Sequence, residues 1–318
     1  MKKTFFCLTI LALLFGSTGC ERQGPEDSVV IPERQNEAQA VSLLGQELFP
    51  PVQIAAIHLD NLEAAREAWQ NDPENVENWI WYGRRIAYTG DYRRALEVFS
   101  TALEKFPQEP RLYRHRGHRH ITLRQFEAAL EDLRRAAALM TEIPDEIEPD
   151  GLPNAQNIPL STLKGNVWYH LGLAHYLRNE LDEALHAYWL SLKAAANPDM
   201  EVACRYWLYL ILRRLGRESE APAVLDPVNP ELEIIENTAY FRLCLFFKGD
   251  LKFEDFQAVE KETAFSDDAY DYGLGAWLYL EGRQQEAGAY WRRLIEQGNW
   301  ASFAVIAAEA DYLRLFQE

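Results

Sequence analysis

The sequence predicts an all-α fold, a solenoid of about six helical hairpins with a capping helix at each end. Three observations carry that prediction. Residues 76–109 and 110–143 repeat one pattern of large, small and turn residues at an offset of 34. Helical apolar spacing alternates with Gly-led turns at Gly90-Asp91, Gly216-Arg217, Gly249-Asp250 and Gly282-Arg283. Pro107 and the pair Asn197-Pro198 stop helices at unit ends, because proline gives no N–H to a helix interior. A hairpin of two short helices cannot bury its apolar face alone, so such units stack, each on its neighbour.

In the first unit Trp79, Tyr82 and Phe99 fill the space between units, with Ile86 beside them. Gly83, Ala95 and Ala102 are small, so the two helices can cross closely, and Gly90 supplies a left-handed turn. The second unit places Tyr113, Gly117, Ala129, Leu133 and Ala136 at the equivalent sites. This set resembles the tetratricopeptide (TPR) repeat, a helix–turn–helix of the same period. A third unit at 165–198 carries Trp168, Leu171, Gly172, Ala184 and Tyr188. Units at 202–230, 235–264 and 268–298 are set by their turns, and the last holds Leu274, Gly275, Leu278, Ala287 and Trp291. The fourth puts Tyr209 where a small residue is expected. The solenoid thus spans 59–318, opening with a lone helix at 59–71 and closing with a cap at 300–316. Residues 143–162 interrupt the repeats as a loop holding Pro144, Pro149, Gly151, Pro153 and Pro159.

Residues 1–19 read as a signal peptide: Lys2 and Lys3, then an apolar run too short to span a bilayer as a mature helix. Ser17-Thr18-Gly19-Cys20 resembles the lipobox of bacterial lipoproteins, which implies lipidation of Cys20. Plain secretion after ordinary cleavage is the alternative. Residues 20–58 are polar and read as a tether. The order of lipid Cys, tether, repeats and closing helix resembles the NlpI-type envelope adaptors of Gram-negative bacteria, and the segment 114–120 (RHRGHRH) resembles a group of uncharacterised bacterial TPR proteins. The resemblance implies a protein-binding scaffold in the cell envelope, held to a membrane by its N-terminal lipid, with other proteins as partners.

A net charge of −17 argues against nucleic acid as a partner. Against that background the first helix of the second unit is unusual. From Arg111 to His120, Arg or His occupies seven of ten positions. In TPR proteins such a helix lines the concave groove. The expected partner-binding residues are therefore Trp81, Arg84, Arg111, Arg114, His115, His118, Tyr169, His170, Tyr206 and Trp207. Arginine forks suit acidic segments or chain termini, and the aromatic residues suit apolar side chains. The competing expectation is that these cations pair internally with Glu127, Glu131 and Asp132. The carboxylate clamp of chaperone-binding TPR domains is not reproduced, because Ile80 stands where it uses Lys and His115 where it uses Asn.

No zinc-binding spacing, phosphate loop or nucleophile elbow occurs, so no catalytic residue, metal or cofactor is expected. The alternative function is a ligand-binding or metal-dependent enzyme built on the paired histidines His115 with His170 and His120 with His175. Cys204 and Cys244 are expected to be buried thiols rather than a disulfide.

Overall fold

A computed structural model describes residues 37–254 and 268–316, together with the backbone of 28–30. The expected signal peptide, Cys20, much of the expected tether and most of the second half of the fifth unit lie outside the described residues. The helices are α1 (Ala56–Asn71), α2 (Val76–Tyr88), α3 (Tyr92–Lys105), α4 (Pro110–Thr122), α5 (Phe126–Leu139), α6 (Leu163–Leu177), α7 (Leu181–Ala194), α8 (Pro198–Arg214), α9 (Glu220–Val224), α10 (Thr238–Lys248), α11 (Asp268–Leu280), α12 (Gln284–Gln297) and α13 (Phe303–Phe316). Strands among the described residues form two short antiparallel pairs, β1 (Ser28–Val30) with β4 (Gln53–Ala55) and β2 (Ala40–Val41) with β3 (Glu47–Leu48). No described helix is long and apolar enough to cross a membrane.

Successive helices pack on one another, except that α10 packs on α8 across the short α9, and the hairpins are all-α and stacked as a solenoid. Their closeness has one repeated cause. A Cβ added at Gly83 would lie 2.4 Å from the Phe99 ring, and one at Gly117 2.8 Å from Leu133. At Gly172 it would meet Tyr188 at 2.8 Å, and at Gly275 Trp291 at 2.5 Å. A large residue of the second helix therefore sits directly on glycine of the first. The fourth unit lacks that glycine. Its Tyr209 is buried and stacks on Phe247 at 4.7 Å. The second helix there, α9, shrinks to five residues with Pro222 inside it.

The turn between the two helices of each unit is left-handed at the same step: Gly90, Arg124, Asn179, Gly216, Gly249 and Gly282 all have positive φ. Glycine takes this conformation freely and asparagine tolerates it. Arg124, at φ 62°, does neither, and its strain is held by its side chain. The guanidinium is 3% exposed and donates to Glu309 Oε1 at 2.6 Å and Oε2 at 3.1 Å, and to the Trp300 carbonyl at 2.8 Å.

Glu309 belongs to α13, which lies within the span expected as a terminal cap, 300–316, and does more than cover the last hairpin. α13 packs on α11 and α12 and also reaches back to α6, so it closes the inner wall of the solenoid. There its Asp311 accepts from Tyr272 Oη at 2.8 Å and Arg214 Nη1 at 3.0 Å. The sequence pattern showed an amphipathic helix at the end; it did not show that two of its acids are buried.

The tether needs correction. From residue 37 the chain is bound to the solenoid. Ala40 and Leu48 pack with Leu123, and Arg93 donates through N and Nε to Gln39 at 3.0 and 2.8 Å. The Leu43 N–H donates to Glu309 at 3.1 Å, and Trp300 Nε1 to the Phe49 carbonyl at 2.7 Å. α1 then begins at Ala56. The apolar residues that hold it, such as Ala40 and Leu48, follow no repeat spacing, so the sequence did not mark this segment as packed. Cys204 and Cys244 are free and buried, and burial pushes the Cys204 thiol up to about 12.

Candidate binding site

Residues 143–162 form a strap rather than a free loop. Its two arms are joined where the Glu148 N–H donates to the Ser161 carbonyl at 2.9 Å and the Leu163 N–H to the Glu146 carbonyl at 2.9 Å. Between them the acidic run Asp145–Gly151 lies on the basic faces of α2 and α4. Arg84 Nη2 donates to the Pro149 carbonyl at 2.8 Å, and Arg85 Nη1 to the Gly151 carbonyl at 2.7 Å. Arg114 Nη2 pairs with Glu148 Oε2 at 3.0 Å, and that carboxylate also accepts from Asn166. The strap comes so near that a Cβ on Gly151 would lie 1.8 Å from Tyr88 Oη, so a side chain there would have to displace the Tyr88 ring.

Beneath the strap are two adjoining chambers. The first, of about 200 Å³, is polar and is lined by Arg84, Tyr88, Arg114, His118, Arg119 and Asp150. The second, of about 370 Å³, is mainly apolar, with Leu160, Tyr169, Met200, Ala203, Tyr240 and Phe303 in its wall. Arg114, His118 and Ser161 border both. Phe303, the first residue of α13, sits 5.0 Å from the His118 ring and 5.4 Å from the His170 ring. The two imidazoles are 4.5 Å apart.

The charges here are unevenly compensated. Arg119 makes no hydrogen bond or ion pair through its guanidinium among the described residues; it lies 5.3 Å from the Tyr92 ring. Burial pushes it down to about 10, against the opposing effect of the Tyr92 and Tyr88 hydroxyls. Burial also raises Asp150, helped by Glu236, and its buried Oδ2 has no hydrogen-bond partner. His115, His118 and His170 are all held well below the usual imidazole range, first by burial and then by neighbouring cations: Arg114 for His115 and His170, Arg119 for His118. His115 Nδ1 accepts from Arg114 at 2.8 Å, so its proton is on Nε2, whereas His170 Nδ1 donates to the Asn166 carbonyl at 2.6 Å.

These imidazoles have a thermodynamic consequence. Each binds a proton less readily in the folded chain than in the unfolded one, where the value is 6.5. The unfolded state therefore takes up more protons below that value, and this stabilisation is full above it and lost as pH falls. Urea midpoints are expected to drop steadily from pH 7 to about 5.5, before most carboxylates titrate. A flat profile over that interval would contradict neutral burial of the three rings.

The chambers gather six of the ten residues expected from sequence: Arg84, Arg114, His115, His118, Tyr169 and His170. Four are elsewhere. Arg111 is engaged by Glu77 and by Glu109 at 2.7 Å. Trp81 lies under the guanidiniums of Arg84 and Arg85, at 4.3 and 4.9 Å. Tyr206 and Trp207 are at most 1% exposed, packed among Tyr240 and Tyr272 rather than facing a groove. Of the internal partners expected, Asp132 holds Arg116 at 2.7 Å, and Glu127 instead pairs with Arg178. Sequence reasoning missed Arg119, Tyr88, Phe303 and the strap acids as members of this site. Arg119 was visible within the basic run; Phe303 had no sequence signal. Among the described residues no group of three or more His, Cys, Asp and Glu side chains is placed to hold a metal ion.

No family model matches the chain, and no curated protein matches it. Among solved structures it is similar to a tetratricopeptide repeat protein from Parabacteroides merdae, at 15% identity over 79% of this chain and 92% of that one, with a TM-score of 0.48. It is also similar to YrrB, described as a TPR protein with an unusual peptide-binding site, at 15% identity over 74% and 92% of the two chains, with a TM-score of 0.41. MamA matches at 20% identity over 59% of this chain and 86% of its own, with a TM-score of 0.40. The helical-hairpin solenoid rests on this chain's own glycine crossings and left-handed turns.

Proposed function

We propose that this chain is a protein-binding scaffold of the bacterial cell envelope, anchored through a lipid on Cys20, and that it takes an acidic segment of its partner on the basic faces of α2 and α4. One observation carries the reading: those faces already hold an acidic segment in cis. The strap presents Asp145, Glu146, Glu148 and Asp150, and Arg84, Arg85 and Arg114 receive its carbonyls and the Glu148 carboxylate. A partner's acidic segment would exchange with the strap, using the same planar donor forks.

The test weakens the strap and supplies the segment in trans. A labelled peptide of the sequence 145–151 is titrated against the purified chain and against the double variant Glu148→Gln, Asp150→Asn. The variant is expected to bind at least about tenfold tighter, because the competing strap is released. Adding Arg84→Ser and Arg114→Ser should remove that binding, and added salt should weaken it. A released variant that ignores the peptide would sink the reading. Anchoring is tested separately: Cys20→Ala should abolish labelling by a fatty-acid probe and free the chain from membranes, whereas an unlabelled, soluble wild type would leave plain secretion.

A further inference from the structure

The chambers under the strap point to a second kind of ligand, independent of strap exchange. We propose that together they form a site for a small monocarboxylic acid bearing one aryl or short alkyl group. The head would sit in the polar chamber, where among the described residues the guanidiniums of Arg84, Arg114 and Arg119 face two carboxylates, Glu148 and Asp150. Among the described residues Arg114 is committed to Glu148 and Arg84 to the Pro149 carbonyl, while the Arg119 guanidinium bonds neither, so the three cations exceed the two acids by one. One uncompensated positive charge calls for one negative charge, and Asp150 in the same chamber wall repels a dianion. Glu236, on the exposed rim of the other chamber, is solvated and bound by Asn154 at 2.7 Å. A neutral His118 between the chambers can donate one N–H to the same head.

The tail would enter the apolar chamber, among Leu160, Tyr169, Met200, Tyr240 and Phe303. Its volume of about 370 Å³ suits a single ring or short chain. The strap covers one side and Phe303 of α13 closes against the two histidines, so the space fits a free small acid rather than the end of a polypeptide.

The purified chain is titrated calorimetrically with 3-phenylpropionate at pH 7, with 3-phenylpropanol, 3-phenylpropylamine and N-acetylated tripeptides ending in Phe as comparisons. Saturable single-site binding of the acid is expected, with the alcohol and amine weaker by about tenfold or more. Arg119→Met should weaken the acid by a similar factor while leaving the unfolding midpoint equal or higher, since it removes a desolvated, unpaired charge. Should that variant fold poorly, Ala203→Leu, which fills the apolar chamber and leaves every cation in place, should weaken the acid in the same way. Absence of saturation up to about 10 mM would overturn the proposal, as that concentration exceeds any specific affinity worth the name. So would equal binding of the alcohol, undiminished binding by both variants, or tighter binding of the peptide than of the free acid.

Discussion

Replacing Glu309 by Ala is expected to destabilise the chain by about 3–5 kcal/mol, the usual loss when one partner of a buried ion pair is removed. Both side chains are almost wholly buried, at 3% exposure for Arg124 and 1% for Glu309. The truncation leaves a buried guanidinium without its counter-charge. It also orphans the Leu43 N–H, which donates to the same carboxylate. Arg124 would then hold a left-handed backbone conformation with only the Trp300 and Thr122 carbonyls as partners. The double variant Arg124→Asn, Glu309→Leu should lie closer to wild type than either single change. It removes both charges, and asparagine accepts the turn, as Asn179 does one unit later. Urea unfolding at pH 7 gives both numbers. A single-variant loss under about 1 kcal/mol would place the pair with ordinary solvated surface bridges.

Gly83→Leu carries the next largest effect, a loss of about 2–4 kcal/mol from overpacking. Even the first carbon of the new side chain would lie 2.4 Å from a Phe99 ring that is 1% exposed and sealed between units. The ring cannot retreat without lifting α3 from α2. Pairing Gly83→Ala with Phe99→Leu should recover part of the loss relative to Gly83→Ala alone, because the smaller partner restores the gap. Thermal or urea unfolding, followed by circular dichroism, checks the comparison. Neutral behaviour of Gly83→Leu would mean that the two helices do not meet at this glycine.

The elements that repeat were legible, because each unit's packing is decided by residues within it. Gly83 and Phe99, or Gly275 and Trp291, sit in one hairpin, so their spacing is written in the sequence. The failed positions share the opposite property. Tyr206 and Trp207 lie on the expected face of α8, but periodicity gives a face and not what covers it. Here α10 and α11 do, with Tyr240 and Tyr272 in contact. The basic run on α4 was plain, yet the acid partner of Arg114, Glu148, comes from the interrupting strap, where no repeat position predicts it. Arg124 was readable in principle: an arginine stands where four other turns have glycine, and such a mismatch marks a residue held by something distant. Glu309, its partner, is 185 residues away.

That distance changes how the molecule can be made. Stacked repeats ordinarily fold by propagation, each new unit docking on the last, in any number. Here the wall of the second and third units is finished by α13, which is made long after them in chain order. Until it arrives, the rings of His118 and His170 lack Phe303, and Tyr176 and Tyr272 lack the carboxylate of Asp311. Closing so long a loop is slow, since its entropy is lost before its contacts form. The chain is thus expected to pass through a nearly complete array with an open inner seam, sensitive to proteases and chaperones. A nascent chain stopped just before Phe303 would be caught in that state, and adding or deleting one repeat would misplace the closing helix rather than lengthen the stack.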